Sequence, residues 1–92
     1  MRLDLFLKAS HLCPRRTIAQ KLCDAGLVAI NGTAAKSAHS VKPGDELTLR
    51  RRDRVVRIRV RGLPSTRQTS REQARALYDS LSDEPLTAAF GN

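Results

Sequence analysis

A chain of 92 residues with no Trp, one Tyr and two Phe can build one small, mostly aliphatic core and has no room for a second. Its 17 Lys+Arg against 9 Asp+Glu give a net charge of +8 and a pI near 10.8, which favours polyanionic partners, nucleic acid first and an anionic membrane surface second. No apolar run approaches the ~20 residues that span a bilayer, and the charged N-terminus enters a periodic pattern at once, so neither a signal peptide nor a membrane partner is expected.

The first stretch, MRLDLFLKASHL, places Leu3, Phe6, Leu7 and Ser10 at i, i+3, i+4, i+7, the stripe of an amphipathic helix. Asp4 and Lys8 stand as an i,i+4 pair in the favourable order. Cys13-Pro14 ends this helix, because a residue before proline avoids helical backbone. A second helix is predicted from about Pro14 to Ala25, with proline in its first turn, Gly26 just past its end and Ile18, Ala19, Leu22 and Cys23 facing inward. After Gly26 the period changes to two. Val28 and Ile30 alternate and lead into Asn31-Gly32, a strong hairpin signal. Lys42-Pro43-Gly44-Asp45 reads as a type II turn, Leu47 and Leu49 as the inner face of a strand, and RRDR as a further turn. Then Val56, Ile58 and Val60 alternate with Arg57, Arg59 and Arg61 along another strand. Residues 62–69 read as a polar linker. Residues 70–82 read as a C-terminal helix, opened by a Ser70/Gln73 capping box and striped by Ala74, Leu77, Tyr78 and Leu81. Residues 83–92 have no period and are expected to be a flexible tail. The fold class is therefore α+β: a helical pair on a small twisted, mainly antiparallel sheet, within a domain spanning residues 1–61, plus the short C-terminal helix.

The charge is uneven. Residues 1–71 carry +11 and residues 72–92 carry −3, so the end of the chain has a different task. Thirteen of the basic residues are Arg, whose planar fork suits phosphate and base edges. One basic set is Arg2, Lys8, Arg15, Arg16 and Lys21 on the helical pair. Arg15 and Arg16 oppose the macrodipole of the second helix, a conflict that a bound phosphate would relieve. The other set is Arg50, Arg51, Arg52, Arg54, Arg57, Arg59 and Arg61. Its alternating members suit a solvated sheet face, whereas its crowded turn members call for a partner. Catalysis is not expected. His11 and His39 stand alone, Asp45 and Glu46 look like solvated turn chemistry, and no Gly-rich phosphate loop is present. No metal or cofactor is implied. Cys13 and Cys23 lack a CxxC spacing and read as buried free thiols of a cytoplasmic protein.

The run RLDLFLKASHLCPRRTIAQKLCDAGLVAINGTAAKSAHSVKPGDELTL resembles the S4 RNA-binding domain. It carries RLD opening the first helix, RRTIAQKL opening the second, then the GLVAING strand-turn and the VKPGDEL turn, all in family order. Leu5 and His11 depart from the basic residues common there. The whole chain looks most like the small stand-alone S4 proteins of bacterial ribosome quality control. That resemblance implies a non-enzymatic monomer that binds large-subunit rRNA and peptidyl-tRNA on stalled complexes. It also implies support for template-free tailing of the nascent chain by a separate tailing factor. Carried over by position, Arg2, Arg15 and Arg16 are the main RNA contacts, Lys8 and Lys36 lesser ones. Arg50, Arg51, Arg52 and Arg54 join them from the turn. Two rivals stand beside this reading. One is a heat-shock-type S4 protein that rescues large subunits bearing nascent chains, which usually has a longer basic extension. The other is a DNA-binding helix-turn-helix module, disfavoured by the sheet that follows the second helix at once.

Overall fold

The computed structural model describes residues 1–66 and 68–85. Leu3, Phe6, Leu7 and Ser10 are all buried, and the helix they stripe, α1, runs Leu3–Ala9. It stops earlier than the proline suggests, because His11 takes a left-handed backbone (φ 61°) and Cys13 N–H donates back to the Leu7 carbonyl. Helix α2 spans Arg16–Asp24. Pro14 does not lie in its first turn: Arg15 is still extended (φ −142°, ψ 151°) and is the N-cap, its carbonyl accepting the first helical bond from Ala19 N–H. The chain leaves α2 through Gly26 at φ 74°, as a glycine past a helix end does.

Five strands follow: β1 Val28–Ile30, β2 Thr33–Ala34, β3 Glu46–Arg50, β4 Arg54–Val60 and β5 Tyr78–Pro85, with a short helix α3 at Arg71–Arg75. They form one antiparallel sheet in the order β2-β1-β3-β4-β5. Asn31 and Gly32, at φ 51° and 87°, close the β1–β2 hairpin with both central residues left-handed, as a type I′ turn requires. Gly44 at φ 94° and the bond from Asp45 N–H to the Lys42 carbonyl mark the second turn.

Asp45 is not a solvated turn residue. It is buried, accepting from the Lys42 backbone and from the Asn31 side chain at 3.1 Å each, while the Asn31 side-chain Oδ1 accepts from Glu46 N–H at 2.9 Å. The two turns are thereby pinned together at one end of the sheet. The core joins Leu3, Phe6 and Leu7 of α1 and Ala19 and Cys23 of α2 to Val28, Ile30, Leu47, Leu49, Ile58 and Val60 of the sheet. Ile18, expected inward, points out and is 38% exposed.

The C-terminal helix is correct in its start and wrong in its extent. Ser70 and Gln73 make the reciprocal capping box, but the helix ends at Arg75, and Tyr78–Pro85 is strand β5. A β3–β4 hairpin alone would leave the seven-residue β4 with an unpaired edge. Pairing that edge outweighs a weak helical stripe. Leu81, counted on that stripe, is exposed at a register shift opposite Arg57/Ile58. Asp83–Pro85, expected to be flexible, complete β5; residues 86–92 of the expected tail lie outside the described residues. From the expected linker, Thr69 folds back onto α1, its hydroxyl donating to the Ala9 carbonyl, and the His11 ring Nε2 lies 3.2 Å from the Thr69 carbonyl.

Candidate nucleic-acid interface

Asp4 organises the basic face of the helical pair. Its side chain is fully buried, yet it does not pair with Lys8 as the helical spacing suggests. Oδ1 accepts from Arg2 Nε at 3.2 Å and from Leu5 N–H at 2.8 Å. Oδ2 accepts from Arg2 Nη2 at 3.2 Å, Arg16 Nε at 3.1 Å and Gln20 Nε2 at 3.0 Å. One carboxylate thus holds two guanidinium groups from separate elements, through the charge-assisted bonds that orient such groups best. Each arginine keeps a large part of its side chain open to solvent, 45% for Arg2 and 39% for Arg16. They are fixed at one end and free to donate at the other.

Burial by itself pushes the Asp4 carboxyl up. The hydrogen bonds from Gln20, Arg2 and Arg16 and the Arg16 charge outweigh it and hold the pKa at about 2, below the ordinary 3.8. Because the folded carboxyl binds its proton less readily than the unfolded one, its contribution is full above pH ~4–5 and fades as pH falls toward 2. The size is about 2 kcal/mol. In urea unfolding, the wild type should therefore lose about 1.5 kcal/mol more than an Asp4→Asn variant between pH 6 and pH 2.5.

The remaining predicted residues do not touch Asp4. Arg15, exposed, is the N-cap of α2 and supplies no side-chain cap. Lys36, also exposed, lies in the loop whose Ser37 and His39 carbonyls accept from Asp4 and Leu3 N–H at the start of α1. Lys8 sits at the other end of α1, in a hollow shared with His11, Pro14, Gln68 and Thr69.

The β3–β4 turn approaches α2 from the sheet side. Arg51 and Arg52 line a groove with Cys13, Pro14, Ile18 and Leu22, which brings the second basic set beside the segment that enters α2. Arg54 is less available, being paired with Asp83 of β5 at 2.7 Å. Arg50 is exposed at the end of β3. On the outer sheet face the alternating arginines are each matched with acid: Arg57 and Arg59 with Glu46, at 3.3 and 3.6 Å, and Arg61 with Asp79 at 3.6 Å. From the acidic end of the chain, Asp83 pairs with Arg54 and Asp79 with Arg61, while Glu46 of β3 takes Arg57 and Arg59.

Sequence reasoning missed Asp4 and Gln20. Asp4 borders the Leu3–Leu7 stripe, so partial burial was legible, but its partners lie up to sixteen residues away. Both cysteines are buried and free. Burial raises the Cys13 thiol pKa, with the nearby Arg51 charge opposing, and lifts that of Cys23 to about 11, so both stay protonated and inert near neutral pH. Among the described residues no helix is long and apolar enough to cross a membrane.

A family model of the S4 domain matches residues 1–47. The RQC P-site tRNA stabilizing factor of Bacillus subtilis is 46% identical over 86 residues, which is 94% of this chain and 98% of that protein. Its namesake in Halalkalibacterium halodurans is 39% identical, over 95% of this chain and 97% of that one. Among solved structures, heat shock protein 15 of Vibrio cholerae superposes with a TM-score of 0.80 at 30% identity, covering 89% of this chain and 82% of its own. A hypothetical protein solved in solution gives 0.77 at 28% identity, covering 91% and 100%. The sequence match, the helical pair on its antiparallel sheet and these relatives agree: the chain belongs to the S4 domain family, among the RQC P-site tRNA stabilizing factors.

Proposed function

We propose that the chain is a non-enzymatic RNA-binding factor of bacterial ribosome quality control. In this reading it binds large-subunit rRNA and peptidyl-tRNA on stalled complexes in the cytoplasm, and supports template-free tailing of the nascent chain by a separate factor. The observation that carries it is the Asp4-centred array: Arg2 and Arg16 are held by one buried carboxylate with their outer N–H groups open. In this reading Arg15, Lys8, Lys36 and the Arg50–Arg54 turn, with Arg51 and Arg52 foremost, supply further RNA contacts. Cations fixed in a shaped array suit the phosphates and 2′-hydroxyls of folded RNA, which is recognised by shape more than by sequence. The names of the 46% and 39% identical relatives point to P-site tRNA. Acidic β5, with its register shift, discourages edge pairing between copies and fits a monomer.

The likeness to heat shock protein 15 supports a second reading, rescue of large subunits that carry nascent chains. A DNA-binding helix-turn-helix fits less well, because α2 is locked to α1 through Asp4 and runs at once into β1. Sucrose-gradient co-sedimentation tests the first reading. The protein should be retained about tenfold more strongly on large subunits bearing peptidyl-tRNA than on empty ones. Equal retention on both contradicts a tRNA contact.

A further inference from the structure

We propose that the groove between α2 and the β3–β4 turn holds one unstacked nucleobase of the bound RNA, with the adjoining phosphates on Arg51 and Arg52. This rests on the RNA-binding reading and adds a mode of recognition that cations alone do not supply. The groove measures about 310 Å³, at the small end of pockets that take small ligands (~300–1,000 Å³), so it suits a nucleoside and not a duplex.

Its walls are apolar where an exposed helix would ordinarily be polar. Ile18 and Leu22 stand one turn apart on α2, facing Cys13 and Pro14. Ile18 is among the few large apolar side chains left open to solvent. Ile18 lies two residues after Arg16, on the side of α2 turned away from the Arg16–Gln20 row, so the groove is a contact separate from the Asp4-centred array. The rim carries Arg51 and Arg52 against the single carboxylate of Asp53, an excess of positive charge that matches a nucleotide and not an apolar peptide. A second observation is independent of the groove's shape. Arg51 Nε is buried and, among the described residues, has no hydrogen-bond partner. A buried donor of this kind costs free energy until an acceptor arrives. Bases splayed from folded RNA commonly stack on aromatic rings or guanidinium planes; no aromatic ring lines this groove, which leaves that task to Arg51, Arg52 and the aliphatic side chains.

The test uses the full chain and two short RNA hairpins, one with a bulged adenosine and one with an abasic ribose at the bulge. Their affinities are compared by fluorescence anisotropy at matched salt. The wild type should prefer the bulged adenosine about tenfold. That ratio should fall below about twofold in Ile18→Ser and in Arg51→Met. Ile18 is at the surface, so its variant keeps the test readable if Arg51→Met unfolds. Arg16→Ala should weaken both hairpins and leave the ratio in place. Equal wild-type affinity for the two hairpins overturns the inference while the RNA-binding reading stands, and so does a ratio that survives in both groove variants. Failure to bind either hairpin and large-subunit rRNA overturns both.

Discussion

Arg16→Ala should lower the affinity for large ribosomal subunits by at least about tenfold, whereas Arg57→Ala should lower it by less than about twofold. Both remove one positive charge, so net attraction falls equally. What differs is the setting of each guanidinium. Arg16 is held at 3.1 Å by a buried carboxylate and leads the helix beside Arg15. Its remaining N–H groups are oriented before RNA arrives, and little side-chain entropy is left to lose on binding. Arg57 lies on the outer face of the sheet, sharing Glu46 with Arg59, where an exposed pair contributes little. Co-sedimentation of the two variants at one salt concentration reads the difference. Equal losses would mean that charge alone recruits the protein.

Phe6→Ala is expected to have the largest effect on stability. Phe6 is fully buried in the middle of α1, and such truncations cost about 3–5 kcal/mol. A domain of this length has roughly 5–14 kcal/mol in all, so the variant should unfold at far lower urea concentration. Because α1 also carries Arg2 and Asp4, binding should disappear with the fold. That separates it from Arg16→Ala, which should lose binding while its unfolding midpoint moves much less.

Much of this architecture is legible in local spacing. The alternation of Val56, Ile58 and Val60 with arginines, Asn31-Gly32 and Lys42–Asp45 each specify backbone within a few residues, and each forms as read. What escaped depends on partners distant in sequence. Asp4 reads as a helical partner for Lys8 because Arg16 and Gln20 come close only when α1 and α2 pack. Strand β5 reads as helix because its reason for being extended is the open edge of β4, some twenty residues upstream. The one trace of that pairing in the sequence is the switch to acidic residues after position 71, which meets the arginines of β4 at Asp79 and Asp83. The two arginines at the start of α2 are also less anomalous than they first look. The Asp4 carboxylate, 3.1 Å from Arg16, sits beside that helix start and offsets part of the conflict with its dipole.

The most direct test of the shaped array is the affinity of an Asp4→Asn variant for large ribosomal subunits, measured with its folding checked in the same buffer. The substitution removes an acidic group from a chain of net charge +8, so attraction by charge alone predicts tighter binding. It also puts an NH2 group, which donates and cannot accept, where one of two accepting oxygens stood, so that either Arg16 and Gln20 or Arg2 Nε and Leu5 N–H face a donor. If Arg2 and Arg16 act because Asp4 holds them, the folded variant binds about tenfold more weakly; binding as tight as or tighter than the wild type contradicts the account.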